Sequence, residues 1–207
     1  SMLFALTGCS VSEATQHGMA VDTIQAEDVL LRVDFLNVGQ ADCALLSTKG
    51  HYMVIDGGNN GDADTILSYL EGQGVEKLAV VGTHPHEDHI GSLDAIINHF
   101  DVDAVYMPKI MHTSKTFEDV LDAVANKGLK IKSPSPGDTI DFNGLEIEVL
   151  GPQREYKDFN NNSIVLKVNA GETAFLFTGD AEETAEKDIL QADYDLQADV
   201  LKVGHHG

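Results

Sequence analysis

The sequence predicts an α/β (α+β) protein in which β-sheets pack together with helices on the outside. Short apolar runs typical of strands occur in blocks with segments whose apolar residues have helical spacing, and this order favours layered sheets covered by helices. With 207 residues, of which 43% are hydrophobic and 23% charged, the chain suits one globular domain with a substantial core. No apolar run approaches the about 18 residues of a membrane-spanning helix, so no such helix is predicted.

The first half of the domain is predicted to begin at residue 29 with strands. Leu31, Val33 and Phe35 alternate with polar residues, which is typical of a half-buried strand. The helical spacing of apolar residues over 66–70 predicts a helix that ends near Gly72. Further elements are predicted as strands at 41–47, 52–55, 77–83 and 104–107, and as a helix over 90–100.

The second half continues with the same mixture. Val120, Leu121 and Val124 have helical spacing over 117–126, and Gly128 follows as the residue that ends this helix. Serine, proline and glycine cluster at 133–138, which predicts a turn. The remaining elements are predicted as strands at 139–142, 145–150, 163–168, 173–178 and 199–203, and as a helix over 182–191.

The two cysteines indicate different roles. Cys43 lies in the apolar stretch 41–46 and is predicted to be buried. Cys9 ends Leu6-Thr7-Gly8-Cys9, which resembles a bacterial lipobox, so residues 1–9 are interpreted as the remnant of a lipoprotein signal peptide. The mature chain would then start at Cys9, lipid-anchored on the extracellular side of the cytoplasmic membrane, with 10–28 as a flexible tether to the domain at 29–207. The alternatives are a tail that happens to contain cysteine, and a tail that folds onto the domain.

Five of the nine histidines fall in two clusters, and the first is His84-Pro85-His86-Glu87-Asp88-His89. It lies between a predicted buried strand and a predicted helix. Residues two apart in an extended segment point the same way, so His84 and His86 can share one metal ion, while Asp88 and His89 can face a second. Imidazole and carboxylate ligands suit cations such as zinc. The alternative is a solvated polar loop.

This motif, together with Asp56 in Val54-Ile55-Asp56-Gly57-Gly58 and Asp180 in Phe177-Thr178-Gly179-Asp180, resembles the metallo-β-lactamase-fold hydrolases. The segments 35–42, 160–163 and 199–207 narrow the resemblance to the metallo-hydrolase domain of ComEC, the DNA-uptake competence protein, and its stand-alone relatives. The resemblance covers residues 29–207. It implies the αββα sandwich of that fold, and the C-terminal part of the fold is expected to lie beyond Gly207.

The resemblance also implies a ligand set. The implied metal ligands are His84, His86, Asp88, His89 and Asp180, with Asp180 bridging two divalent ions, zinc or manganese. An asparagine-rich segment replaces the family's middle single histidine, and the last histidine ligand would follow Gly207, so the first metal keeps only two imidazoles of its own. For Asp180 a helix N-cap is a further role compatible with ligation.

Other residues are predicted to support the chemistry. Asp56 is implied to hold the metal loop from behind the ligands, with a turn aspartate as the alternative. His205 and His206 follow a predicted strand end and are, with Asp88, the predicted catalytic residues. One of the two histidines would protonate the leaving group or hold a phosphate oxygen, and the alternatives are direct ligation and a disordered end.

Three polar residues and four remaining histidines complete the assignments. The predicted substrate-binding residues are Asn161, Asn162 and Ser163, with an asparagine-rich turn as the alternative. The histidines interpreted as surface or structural residues are His17, His51, His99 and His112.

No serine or cysteine nucleophile is evident, because Cys43 is placed inside a strand and no Gly-x-Ser-x-Gly elbow occurs. Metal-assisted hydrolysis is therefore predicted: a bridged metal pair lowers the pKa of a shared water toward about 7, and the resulting hydroxide attacks the substrate. The resemblance implies an extracellular phosphodiesterase or nuclease that acts on DNA. The alternatives are a hydrolase of another ester or amide, such as a lactone or a β-lactam, and a non-catalytic surface lipoprotein that retains the fold.

The net charge constrains the substrate. The chain has 13 Lys+Arg against 34 Asp+Glu, a formal charge of −21, which argues against binding a nucleic acid through a basic surface. Asp56, Asp88 and Asp180 belong to the metal loops, where bound cations reverse the local field. The expected partner is therefore single-stranded or short DNA, engaged weakly and through metal. Membrane contact is expected only through the anchor at Cys9, and no protein partner is evident.

Overall fold

A computed structural model of the chain describes residues 30–206. The predicted signal peptide and tether, with Cys9 and His17, lie outside the described residues, as does Gly207. The strands are β1 (Arg32–Phe35), β2 (Ala44–Thr48), β3 (His51–Ile55), β4 (Lys77–Val81), β5 (Asp101–Tyr106), β6 (Ile131–Lys132), β7 (Thr139–Phe142), β8 (Leu145–Gly151), β9 (Val165–Ala170), β10 (Thr173–Phe177) and β11 (Val200–Lys202). The helices are α1 (Ala63–Gly72), α2 (Glu87–Ile90), α3 (Leu93–His99), α4 (Lys115–Asn126) and α5 (Glu183–Gln191). Between residues 30 and 206, no helix has the length and apolarity to cross a membrane.

The strands form two sheets. The first has the order β1-β2-β3-β4-β5-β6, antiparallel from β1 to β3 and parallel from β3 to β6. The second has the order β11-β10-β9-β8-β7, antiparallel from β7 to β10, with β11 added parallel to β10 at the edge. The parallel strands place their carboxyl ends at one edge of each sheet, and these ends carry the polar loops described below.

Three apolar cores give a four-layer sandwich. One core lies between the first sheet and helices α1, α3 and α4 and includes Ile66, Val80 and Val120. A second fills the space between the two sheets, and a third packs α5 on the second sheet. Strand β4 contributes Val80 to the first core and Val81 to the second, which is why its sequence is continuously apolar. The predicted αββα sandwich is confirmed.

Two predicted elements are wrong in their extent. The helix predicted over 90–100 is divided into α2 and α3, because Gly91 lies so close to the chain at Asn59 that an added Cβ would be 2.2 Å from the Asn59 carbonyl carbon. The strand predicted at 41–47 begins only at Ala44, because the backbone N–H of Asp42 donates to the Asp88 carbonyl oxygen instead of to a neighbouring strand. Cys43 is therefore just before β2, not inside a strand, although it is buried as predicted (5% exposed).

The remaining differences are small. The short strand β6 was not predicted, and β9 begins two residues later than expected because Asn160–Asn162 forms a 3-10 turn that precedes it. Gly128 has φ +68 and ends α4 as predicted. His51 and His99 are exposed, which confirms their interpretation as surface residues.

Candidate metal centre

The polar residues of the site lie just after the carboxyl ends of four strands. Asp56 follows β3, the His84–His89 segment follows β4, Asp180 follows β10, and His205 follows β11. The two sheets meet at this edge, so residues separated by more than 100 positions in the sequence come into contact, as His205 and Asp88 do.

The Asp180 carboxylate is the centre of the arrangement. Its Oδ2 atom lies 3.1 Å from Nε2 of His89, 3.2 Å from Nε2 of His206, 3.5 Å from Nε2 of His205 and 4.0 Å from Nε2 of His84. Asp180 is only 2% exposed. Four imidazole nitrogens thus surround one buried carboxylate oxygen, which is where the sequence placed a bridging ligand.

Unpaired polar atoms at this point test whether the residues fit a metal. Both carboxylate oxygens of Asp180, Nε2 of His89 and Nδ1 of His205 are buried without a hydrogen-bond partner. Buried polar atoms without partners are costly, and they are rare unless something else satisfies them. Asp42, His89, Asp180 and His205 each offer a donor atom within 4.8 Å of the others. A nitrogen and carboxylate donor set of this kind fits a divalent cation of the zinc type.

A second group of donors adjoins the first. Asp88, His205 and His206 also bring one donor atom each within 4.8 Å of one another. His205 Nε2 lies 3.0 Å from Asp88 Oδ2 at the partly exposed mouth of the site. All three predicted catalytic residues are therefore placed together, and His205 belongs to both groups.

The two histidines predicted to share the first metal lie side by side. His84 Nε2 is 3.1 Å from His86 Nδ1. His84 is fully buried, whereas His86 is partly buried at the rim. Burial lowers the pKa of His84 to about 2 and also lowers the pKa of His86, so both imidazoles are neutral at pH 7, the form that binds a metal.

Asp56 holds the histidine loop in place. Its Oδ1 accepts a hydrogen bond from the Thr83 backbone N–H (2.7 Å), and its Oδ2 accepts from the Thr83 hydroxyl (2.8 Å) and from His89 Nδ1 (2.8 Å). Asp56 has φ +62, a left-handed conformation that aspartate and asparagine tolerate better than most residues. These are the contacts of a residue that orients a ligand, since the donation through Nδ1 leaves Nε2 of His89 turned toward Asp180.

The charges of the centre support one another. Burial works against a charged His89, but the carboxylates of Asp56 and Asp180 raise its pKa to about 10. Burial likewise works against ionised Asp180, but the surrounding histidines, His89 first, keep its pKa below its usual range. Asp180 is therefore a carboxylate at all ordinary pH values and is available as a ligand.

The prediction that Asn161, Asn162 and Ser163 contact substrate is corrected by their burial and bonding. Asn161 Oδ1 accepts from the backbone N–H groups of Glu182 and Ala185, at the start of α5. Asn162 bonds through both amide atoms to the backbone of its own loop. Ser163 Oγ accepts from the Asp180 N–H (3.0 Å). All three are at most 3% exposed, so the geometry assigns them to positioning Asp180 and α5, and the alternative of an asparagine-rich turn is the one observed.

Two residues of the site were not assigned from the sequence. Lys202 Nζ lies 2.6 Å from Asp42 Oδ2, and Asp42 Oδ1 lies 3.5 Å from Nδ1 of His205. The signal was present in both cases, because Asp42 ends the segment 35–42 and Lys202 lies in the segment 199–207. Neither segment by itself shows that they meet.

Residues 36–207 match the Metallo-beta-lactamase superfamily, and the chain belongs to it. The fold agrees with that of a HARLDQ-motif mutant of a metallo-beta-lactamase from Cronobacter sakazakii, with a TM-score of 0.58 at 15% identity over 81% of this chain and 73% of that one. Together with the His/Asp cluster, this membership supports a metal-dependent hydrolase; the fold usually binds divalent metals, typically zinc.

Relatives narrow the position within the superfamily. ComE operon protein 3 of Bacillus subtilis is 28% identical over 195 residues, which are 84% of this chain and 25% of that protein. Competence protein ComA of Neisseria gonorrhoeae is 27% identical over 175 residues, 83% of this chain and 23% of that protein. Hydroxyacylglutathione hydrolase of Aeromonas hydrophila is 30% identical over 106 residues, 51% of this chain and 35% of that protein. The chain thus spans about a quarter of the length of the first two relatives.

Proposed function

We propose that this chain is a metal-dependent phosphodiesterase that cleaves single-stranded or short DNA. The observation that carries the proposal is the buried Asp180 carboxylate, whose Oδ2 has four imidazole nitrogens within 4.0 Å and whose two oxygens have no hydrogen-bond partner. The similarity to competence proteins supports a nucleic-acid substrate, because DNA uptake is the process for which ComEC is known. A divalent metal pair at this centre, zinc or manganese, supplies Lewis acidity and an activated water.

The chain's own residues account for the remaining steps. His84 and His86 hold one side of the centre, while His89 and Asp88 hold the other, with Asp180 between them. Asp56 fixes the ring of His89. His205, whose Nε2 is 3.0 Å from Asp88 at the mouth, is the residue placed to deliver a proton to the leaving oxygen.

The surface charge sets the mode of binding. The net charge is −21, and Lys202, a cation beside the centre, is paired with Asp42. A long duplex would therefore be repelled over most of the surface. A strand end or a short piece held by the metal ions avoids most of that repulsion.

A second candidate is hydrolysis of a carboxylic ester or thioester. The 30% identity to hydroxyacylglutathione hydrolase over about half of this chain is the observation that favours it. A lactam substrate and a non-catalytic binding role are the other outcomes that the test must separate.

We also propose that the protein acts outside the cytoplasmic membrane and is anchored through Cys9. The lipobox-like Leu6-Thr7-Gly8-Cys9 supports this location. Labelled palmitate should be incorporated by the wild type and not by Cys9→Ser when the chain is expressed with its natural leader. Equal labelling of the two would remove the anchor.

The activity is tested with four substrates after loading with zinc or manganese: a single-stranded oligonucleotide, a phosphodiester dye, a thioester and a lactam. The proposal expects phosphodiester turnover that a chelator and His86→Ala both abolish. His51→Ala, an exposed histidine at the start of β3, is the matched control and should retain full activity. Turnover of the thioester or lactam alone, or DNA binding with no turnover, would overturn the phosphodiesterase.

A further inference from the structure

His112 lies beside the candidate metal centre, although its position in the sequence suggested only a surface or structural histidine. It is partly buried on the loop between β5 and α4. Its ring centroid is 4.6 Å from that of Phe159 in an edge-to-face contact and 6.2 Å from that of His86. The His86 and Phe159 rings are 5.8 Å apart, so the three rings form a partly exposed wall on the His86 side of the centre.

The local structure fixes the tautomer of His112. The backbone N–H of Ser114 donates to Nδ1 of His112 (3.2 Å), and the Ser114 hydroxyl lies 2.8 Å from the same nitrogen. Ser114 is the N-cap of α4, and its oxygen already accepts from the Phe117 N–H, so its hydroxyl proton is free to donate to Nδ1. Since Nδ1 accepts both bonds, the neutral ring carries its proton on Nε2.

The Nε2–H group is the free donor of this ring. Ser114 is the hydrogen-bond partner that the described residues give to His112, and it takes only the Nδ1 edge. Phe159 restrains the plane of the ring and offers no acceptor. A hydrogen-bond donor of fixed direction therefore stands at the rim of a centre that is otherwise rich in carboxylates.

We propose that His112 is a substrate-contacting residue whose Nε2–H donates a hydrogen bond to a phosphate oxygen on the His86 side of the centre. This rests on the proposed phosphodiesterase function and adds to it the recognition of the anionic group. The donor is useful there because Lys202 is paired with Asp42 and His205 with Asp88, on the other side of Asp180. A phosphate that reaches His86 passes beside the His112 ring.

The test compares three substitutions in the zinc-loaded protein. His112→Ala removes both ring nitrogens, His112→Asn keeps an acceptor for Ser114 but lacks the Nε2 donor, and His112→Gln can place an amide N–H where Nε2–H was. The proposal expects Ala and Asn to raise KM for the phosphodiester dye about tenfold, as for loss of a hydrogen bond to a charged group, with Gln recovering part of the loss. Metal content and Tm should be unchanged in all three. Equal KM in wild type and Asn, or a loss in Gln as large as in Ala, would overturn it.

A second measurement does not need turnover, so it judges His112 even where the phosphodiesterase proposal fails. Imidazole ¹H–¹⁵N spectra of the zinc-loaded protein should show the His112 proton on Nε2. Added inorganic phosphate should shift that resonance, and it should bind several-fold more weakly to His112→Asn than to wild type. A proton on Nδ1, or equal phosphate affinity in the two proteins, would contradict the inference.

Discussion

Replacing Asp56 with asparagine is expected to weaken metal binding by changing the tautomer of one ligand. The substituted asparagine can retain the left-handed backbone at φ +62, and its side-chain oxygen still accepts from the Thr83 N–H. The amide NH₂ then takes the place of Oδ2 and faces His89 Nδ1, which lies 2.8 Å from that oxygen in the wild type. His89 must accept through Nδ1 and carry its proton on Nε2, the nitrogen that faces Asp180 at 3.1 Å.

The size of the effect follows from the contacts that change. Of the three hydrogen bonds to Asp56, the two from Thr83 can be kept or exchanged, so the loss falls on His89. Loss of such a supporting partner typically lowers metal affinity about 10–100-fold, which is about 1.4–2.7 kcal/mol. The metal-free protein should also lose stability, by at most the about 3–5 kcal/mol that breaking a buried ion pair costs. A domain with about 5–15 kcal/mol of stability still folds.

Zinc affinity is measured by competition with a chromophoric chelator, and the tautomer by imidazole ¹H–¹⁵N spectra of the metal-free protein. Asp138→Asn is the control, because Asp138 makes a similar contact to the Ser135 N–H (2.8 Å) in an exposed turn far from the centre. Wild-type zinc affinity in Asp56→Asn, or a His89 proton still on Nδ1 in that variant, would refute the reasoning.

Three further outcomes are expected. Asn161→Ala removes the acceptor for two N–H groups at the start of α5 and should lower the free energy of unfolding by about 0.5–2 kcal/mol in urea, whereas the exposed Asn126→Ala should not; equal stability of the two variants would exclude the capping role. Gly91→Ala places a Cβ 2.2 Å from the Asn59 carbonyl carbon and should cost at least about 1–3 kcal/mol, while Gly72→Ala, with open space around its Cβ in α1, should be neutral or stabilising by thermal unfolding. A chelator should lower the Tm of protein purified with metal, since a ligand at 100 times its Kd stabilises the folded state by about 2.7 kcal/mol; an unchanged Tm would mean that no metal had been bound.

The strand and helix patterns were predictable wherever burial follows the local period. Strand β7 was predicted with its observed bounds, because Ile140 and Phe142 alternate with exposed residues. The break between α2 and α3 was not, because Gly91 is forced by a tertiary contact with Asn59 that no local pattern reveals. The short strand β6 depends in the same way on β5 as its neighbour.

The candidate site was predictable where its residues are adjacent in sequence. His84, His86, Asp88 and His89 form one motif, and their geometry follows from an extended loop that enters a helix. The contact between Lys202 and Asp42 spans 160 positions and exists only because β11 pairs with β10 at the edge of the second sheet. The burial of Asn161 and Asn162 was hidden for another reason: an asparagine-rich segment has the same composition whether its amides face a substrate or its own backbone.

The measurement that tests the account most directly is calorimetric titration of the metal-free protein with zinc and with manganese, in wild type and Asp180→Asn. The account predicts that the wild type binds at least one of these ions with a stoichiometry approaching two, and that Asp180→Asn loses most of this affinity while Asp138→Asn retains it. A folded wild-type protein that binds neither ion, or an Asp180→Asn variant that binds as tightly as the wild type, would contradict the assignment of this cluster as a metal centre.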